Sequence, residues 1–335
     1  MCTQVGRDGG AGKQPRVPAR HYAWVARIRI LLLSIAAVVI VGGVTLIGLG
    51  MRSDGAASVL PSTGGSGGTA TGTPTAAPTD TGPDPEELAE QERARRVKAL
   101  DAALKKYAAT VPEFSVAVLD RTTGKRYSYR GKERYETASV VKVQVLACLL
   151  LAAQDDDREL TSTELSLAKL MIRASDNDAT TALFRRLGRA GAVSASNRRL
   201  GLTSTTVNSA WGLTRTTVHD QVKLLSELVD PKGPLDSGSR KVAFNLMSTV
   251  LPDQDWGVSA AAADGERFTI KNGWLPRSTE GGRWIVNSVG RVTGGGGAGR
   301  VDVSLAVLSH GHRSREAGIA VVERVAELTR KHLKY

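Results

Sequence analysis

Hydrophobic and polar positions divide this chain into stretches of different period. Ile30 to Gly50, ILLLSIAAVVIVGGVTLIGLG, is uncharged and mostly apolar, long enough to cross a bilayer as a helix. Ser53 to Pro83 is Gly, Ser, Thr, Ala and Pro with almost no large apolar residue; it cannot build a core and reads as a flexible tether. From Pro85 to Tyr107 the composition is helical, with Leu88, Val97, Leu100 and Leu104 available for one face. Two strand-like runs follow, FSVAVLD (114–120) and YSYRG (127–131), and the Gly124 turn between them makes a hairpin.

Helices are expected to fill residues 160 to about 250. Thr161 with Glu164, and Thr217 with Asp220, give capping-box patterns ahead of LSLAKLMIRA and QVKLLSELV. Strand-like sequence returns in RFTIKNGW (267–274), RWIVNSVGRV (283–292) and VDVSLAVLSH (301–310). A last helix, 314 to about 333, carries a stripe of Ile319, Val322, Val325, Ala326 and Leu333. Strands split between the two ends of the folded part predict an α+β sandwich: one five-stranded antiparallel sheet built from both ends, flanking helices, and an inserted helical lobe at about 150–250. The seam between sheet and lobe is the natural place for a ligand.

One stretch breaks the pattern. Glu136 to Ala153, ETASVVKVQVLACLLLAA, reads as a helix apolar on all sides, which belongs in a core, yet it carries Lys142. Ser139 lies three residues earlier, at the expected helix start, so Lys142 can bring its amine to the Ser139 hydroxyl. A helix start leaves backbone N–H groups free for an oxyanion, and burial lowers a lysine's pKa until a neutral amine can take a serine proton. The alternative is a plain N-cap serine with a lysine reaching out to solvent. Spacing alone decides nothing, because Ser166-Leu-Ala-Lys169 has the same spacing; its mid-helix setting marks an exposed helical face.

Charge refines the organisation. Half of the net +12 sits in the first 52 residues, where Arg7, Lys13, Arg16, Arg20, Arg27, Arg29 and Arg52 face Asp8 alone. Basic residues before the apolar stretch place the N-terminus in the cytoplasm and the rest outside, and its length favours a retained anchor over a cleaved signal peptide. The expected layout is a cytoplasmic tail (1–29), a single membrane span (30–51), a linker (52–84) and a folded extracellular domain (85–335). The remainder of the chain is mildly basic, with no dense basic run and few aromatics, which argues against nucleic acid. Cys2 and Cys148 fall on opposite sides of that span, so they cannot pair; Cys2 directly follows Met1, without a signal sequence before it, and Cys148 reads as a small buried hydrophobe. His310 and His312 lack a third ligand and read as a surface turn, and GGGGAG (294–299) lacks the Lys and Ser/Thr of a phosphate loop. No metal or cofactor is expected.

Two further motifs give Lys142 a context: Ser175-Asp176-Asn177 just past a helix end, and Lys271-Asn272-Gly273 on the first returning strand. S-x-x-K, S-D-N and K-T-G in this order resemble the class A β-lactamases and penicillin-binding proteins. The resemblance runs from about residue 94 to 333. It implies Ser139 as acylated nucleophile, Lys142 as its base and Ser175 as a proton-shuttling hydroxyl. It further implies that Asn177 holds Lys142 and the substrate amide, that Lys271 attracts the substrate carboxylate, and that the N–H groups of Ser139 and Trp274 form an oxyanion hole. The implied substrate is a β-lactam or the D-alanyl end of a cell-wall peptide.

Two departures stand out. Asn272 replaces a hydroxyl residue, although an amide can still donate to a carboxylate. No Asp or Glu occurs between Ala179 and His219, where class A β-lactamases carry the glutamate that activates the deacylating water; TVNSAWGLTRT (206–216) occupies that region. Two rival readings follow: an acylating enzyme that turns β-lactams over slowly, such as a D,D-peptidase, and a catalytically silent domain that binds wall peptides or a protein partner.

Overall fold

The computed structural model describes residues 84–295 and 299–335; the tail, span and nearly all of the linker expected at 1–84 lie outside the described residues. Within them, Asp84 caps helix α1 (Pro85–Ala108) by accepting from Glu86 N, and Pro85 fits the first turn, where no N–H is needed. Leu100 and Leu104 are buried as the periodicity predicts, whereas Leu88, in the first turn, is 44 % exposed. The alternation after it forms β1 (Phe114–Asp120) and β2 (Arg126–Tyr129).

The short strand β3 (Tyr135–Glu136) leads through a 3-10 turn (Ala138–Val140) into α2 (Val141–Asp155). Helices α3 (Ser162–Arg173), α4 (Asn177–Arg186) and α5 (Arg189–Arg199) follow, then the two-residue strand β4 (Arg215–Thr216), α6 (Val218–Glu227) and α7 (Ser237–Met247). The chain returns through β5 (Arg267–Arg277), β6 (Arg283–Gly294) and β7 (Val301–Ser309) and ends in α8 (Arg315–Leu333). Both capping signals are used: Thr161 and Glu164 form a reciprocal box, and Thr217 accepts from Asp220 N. The Asp220 carboxylate goes instead to Ser204 N and Thr205 Oγ1, tying α6 to the preceding loop.

The sheet order is β2-β1-β7-β6-β5 with every pairing antiparallel, so the central strand comes from the far end of the chain. Strand alternation separates two apolar layers. Val116 and Val118 of β1, with Leu305 and Val307 of β7, pack toward α1 and α8; Ala117, Leu119, Ala306 and Leu308 pack toward α2 and the other inserted helices. Both faces of the sheet are therefore covered, leaving β2 and β5 as its edges. The pairing of β3 with β4 was not expected from the sequence: two residues are too few to show a period.

Candidate active site

Helix α2 buries twelve of its fifteen residues, Lys142 among them at 0 % exposure. Each buried aliphatic side chain contributes about 1.5–3 kcal/mol, so the Val and Leu neighbours can carry an amine into the core against its desolvation cost. By length and composition the segment Ala138–Asp155 could cross a membrane; here it is a core helix. Ser139 does not begin the α-helix, as expected, but sits in the 3-10 turn just before it, half-buried at the edge of a cavity.

Lys142 faces the helix junction rather than the serine. Its Nζ donates to the Ser175 carbonyl at 2.6 Å and to Asn177 Oδ1 at 2.8 Å, and lies 3.2 Å from Ser175 Oγ. No hydrogen bond joins it to Ser139 among the described residues, a looseness common in unliganded sites. Ser175 follows α3 with φ at +55°, a left-handed conformation uncommon outside glycine; it turns both oxygens of the residue toward Lys142. Asp176 then caps α4 through Ala179 N, which fixes Asn177 at the first helical position. Ala138, beside the serine, also has positive φ, at +46°.

Lys271 arrives from the edge strand β5. It is buried and donates to Ser175 Oγ at 2.9 Å and to the Asn272 carbonyl at 2.8 Å. One hydroxyl thus bridges two buried amines. Burial pulls the Lys142 pKa down to about 7, only partly offset by Asp176. Burial and then the nearby Lys142 hold Lys271 well below the ordinary lysine range, against a small opposing effect of Asp253. Near neutral pH Lys142 is therefore partly neutral, and an unprotonated amine is available beside a hydroxyl.

Strand alternation sends Asn272 to the other side of β5 from Lys271. Its amide donates to the Gln254 and Trp256 carbonyls, both at 2.8 Å, which uses both N–H groups. The donation to a substrate carboxylate considered for Asn272 has no free hydrogen here; the residue ties β5 to the loop behind it. Gly273 shows why that position is glycine: a Cβ there would lie 2.6 Å from Ser139 N and 2.7 Å from Val140 N. The strand backbone runs directly against the 3-10 turn, and Trp274 lines the cavity with Ser139.

Three contributors were not read from the sequence. Asn287, fully buried on β6, donates to the Glu136 and Thr137 carbonyls and accepts from Ser309 N, pinning the approach to Ser139 onto the sheet. A lone Asn inside RWIVNSVGRV was the available signal. Glu136 pairs with Arg277 at 2.9 Å, joining β3 to β5. Trp211 stands with its ring centroid 5.2 Å from Lys142 Nζ, and its indole N–H donates to Thr181 Oγ1 at 3.3 Å. Trp211 and Arg277 line a cavity of about 360 Å³ together with Ser139, Asn177 and Trp274, and the described lining holds no Asp or Glu.

Elsewhere, the surface turn expected at His310 and His312 is corrected for one member. His310 is exposed beside Glu113, but His312 is 1 % exposed, bonded to Ser309 Oγ, and burial lowers its pKa to about 4. Its backbone bridges Trp284 across the sheet end, which draws it inside. Cys148 is buried, as expected. No cluster of His, Cys, Asp and Glu suited to a metal ion exists among the described residues.

A family model described as the β-lactamase enzyme family matches residues 94–165 and 154–333. A curated Mycobacterium tuberculosis protein named as a lipoprotein, LppW, is 30 % identical over 183 residues, covering 52 % of this chain and 58 % of its own length. Among solved structures, a β-lactamase from Xanthomonas campestris aligns with a TM-score of 0.60 at 20 % identity, over 71 % of this chain and 97 % of its own. A class A β-lactamase from Mycobacterium abscessus gives 0.59 at 19 %, over 72 % and 100 %. The protein PBP-A gives 0.60 at 17 %, over 70 % and 96 %. At these identities the structures establish a common fold and nothing finer.

Proposed function

Because the chain belongs to the β-lactamase enzyme family, we propose that it is a serine hydrolase acylated at Ser139 by a β-lactam or a D-alanyl wall peptide, and that it releases the acyl group slowly. The observation that carries this reading is the convergence of Lys142 and Lys271 on Ser175 Oγ, beside a cavity that Ser139 lines. In the reaction, Ser139 Oγ adds to the amide carbonyl and its proton passes to the neutral Lys142 amine. The C–N bond then breaks, and the leaving nitrogen takes a proton relayed through Ser175. Lys271, protonated when an anion arrives, attracts the substrate carboxylate, Asn177 holds the substrate amide, and the N–H groups of Ser139 and Trp274 receive the oxyanion.

Slow release is supported by the carboxylate-free lining of the cavity. A solved neighbour, PBP-A, was captured in variant form as an acyl-enzyme complex with penicillin G, which favours the penicillin-binding type of behaviour for this chain as well. The apolar stretch 30–51 and the relative named as a lipoprotein support placing the domain outside the cell on a single-pass membrane anchor, at the end of the 52–84 linker.

The test is to incubate the 85–335 domain, made within the full chain and released after purification, with labelled penicillin and follow its mass over time. A lasting adduct lost in Ser139→Ala is the expected result. A transient adduct means an efficient β-lactamase. No adduct, with Ser139→Ala indistinguishable from the parent, leaves the silent binding domain as the reading.

A further inference from the structure

We propose that Trp211 is the positioning residue that keeps an acyl group on Ser139 by shielding Lys142 from water. The inference rests on the acyl-enzyme reading above and concerns the step that ends it. In hydrolysis, water adds its oxygen to the ester carbonyl of acyl-Ser139 and passes its proton to a neutral base. The ester C–O bond then breaks, and that proton returns to Ser139 Oγ. The cavity lining offers no carboxylate for the task. Two carboxylates on neighbouring segments are committed: Glu136 pairs with Arg277, and Asp176 caps α4. Of the two buried amines that share the Ser175 hydroxyl, Lys142 lies on the serine's own segment, three residues on.

Trp211 lines the cavity, whereas Lys142 is fully buried and does not. Three oxygens, from Ser175 and Asn177, occupy its nitrogen from the helix-junction side. The ring centroid of Trp211 lies 5.2 Å from the same nitrogen, within the range of a cation–π contact. The ring does not swing freely, because its N–H is held by Thr181 Oγ1. The turn that carries it, Trp211–Leu213, is moored to the serine's own segment: Thr214 O accepts from Thr137 N at 2.8 Å, and Gly212 O accepts from Thr137 Oγ1 at 3.5 Å. The wall and the nucleophile are thus built as one unit. The i, i+3 spacing lets Ser139 pass its proton to Lys142 without a water, so a ring that blocks hydrolysis leaves acylation open.

The experiment measures formation and loss of the penicillin adduct by intact mass in the wild type, Trp211→Ala, Trp211→Phe and Thr181→Val. Because Trp211 also lines the substrate cavity, formation and loss of the adduct are followed separately; the half-life of the adduct, once formed, is expected to fall about fivefold or more in Trp211→Ala as water gains access. Trp211→Phe keeps a ring over the amine but loses the N–H that Thr181 holds, so its half-life is expected to fall about twofold, like that of Thr181→Val and well short of Trp211→Ala. A merely structural role would not move the pH dependence. Release from Trp211→Ala should rise with pH as Lys142 loses its proton, while wild-type release stays flat. If the alanine variant does not fold, Thr181→Val carries the test, since it keeps the ring but frees its N–H, and a half-life shortened about twofold supports the proposal. An adduct on the wild type whose half-life is unchanged in the folded tryptophan and threonine variants overturns it, as does a phenylalanine variant that behaves like alanine. No adduct on the wild type overturns the acyl-enzyme reading itself, and the shielding role with it.

Discussion

Ser139-x-x-Lys142 and Ser166-x-x-Lys169 carry the same residues at the same spacing in one chain, and the fold treats them in opposite ways. In α3, Ser166 spends its hydroxyl on the Ser162 carbonyl one turn back, and both it and Lys169 face solvent. Before α2, Ser139 lies in a 3-10 turn at a cavity, and Lys142 is sealed against the oxygens of Ser175 and Asn177. A helical i, i+3 spacing only makes two side chains neighbours. Chemistry needs burial to shift the amine and a third group to exchange protons with it, and both come from elsewhere in the chain.

The largest expected contrast is between the two lysines. Lys142→Met should slow penicillin acylation about 10²–10⁴-fold, the usual worth of a general base, and Lys169→Met should leave it unchanged. In the wild type the acylation rate should rise with pH through about 7, where Lys142 becomes neutral. Stability carries the same signature. Because the folded-state pKa of Lys142 lies below its unfolded value, the unfolded chain binds more protons between about pH 7 and pH 10.5, so stability rises with pH across that window. The slope is up to about 1.4 kcal/mol per pH unit for this group, and chemical denaturation at several pH values should show it lessened in Lys142→Met and intact in Lys169→Met. Equal behaviour of the two variants would erase the distinction drawn here.

Smaller effects sharpen what surrounds the first pair and not the second. Gly273→Ala places a methyl against Ser139 N and Val140 N, both backbone, so the strand or the turn must move. About 1–3 kcal/mol of stability and a larger share of acylation should be lost, measured by denaturation and adduct formation together. Asn272→Ala should cost about 1–3 kcal/mol by leaving two buried carbonyls without donors, yet change acylation less than about threefold. A large acylation defect there, with stability preserved, would show that Asn272 meets the substrate after all.

Most of the architecture was legible along the chain, since strands and helices buried on one or both faces write their period into the sequence. β1 begins and ends where FSVAVLD does, and Val322, Val325, Ala326 and Leu333 of the α8 stripe are buried. The β3–β4 pair and the 3-10 turn at Ser139 were not legible, because two or three residues carry no period and their placement depends on Asn287 and Thr214 from distant segments. Likewise His312 looked exposed because nothing local announced its bridge to Trp284.

By itself the sequence determined the order of elements, the apolar helix that tolerates one lysine, and the three motifs with a carboxylate-free stretch from 179 to 219. These are local facts, set by composition and by spacing along one strand or helix. Only the tertiary structure decided that Ser175 Oγ bridges two amines, that the Asn272 amide turns to Gln254 and Trp256, and that the Trp211 ring stands against Lys142. Each joins separate segments, from 16 to 96 residues apart, and the direction a side chain takes there is fixed by packing, strand side and backbone strain that no local pattern records.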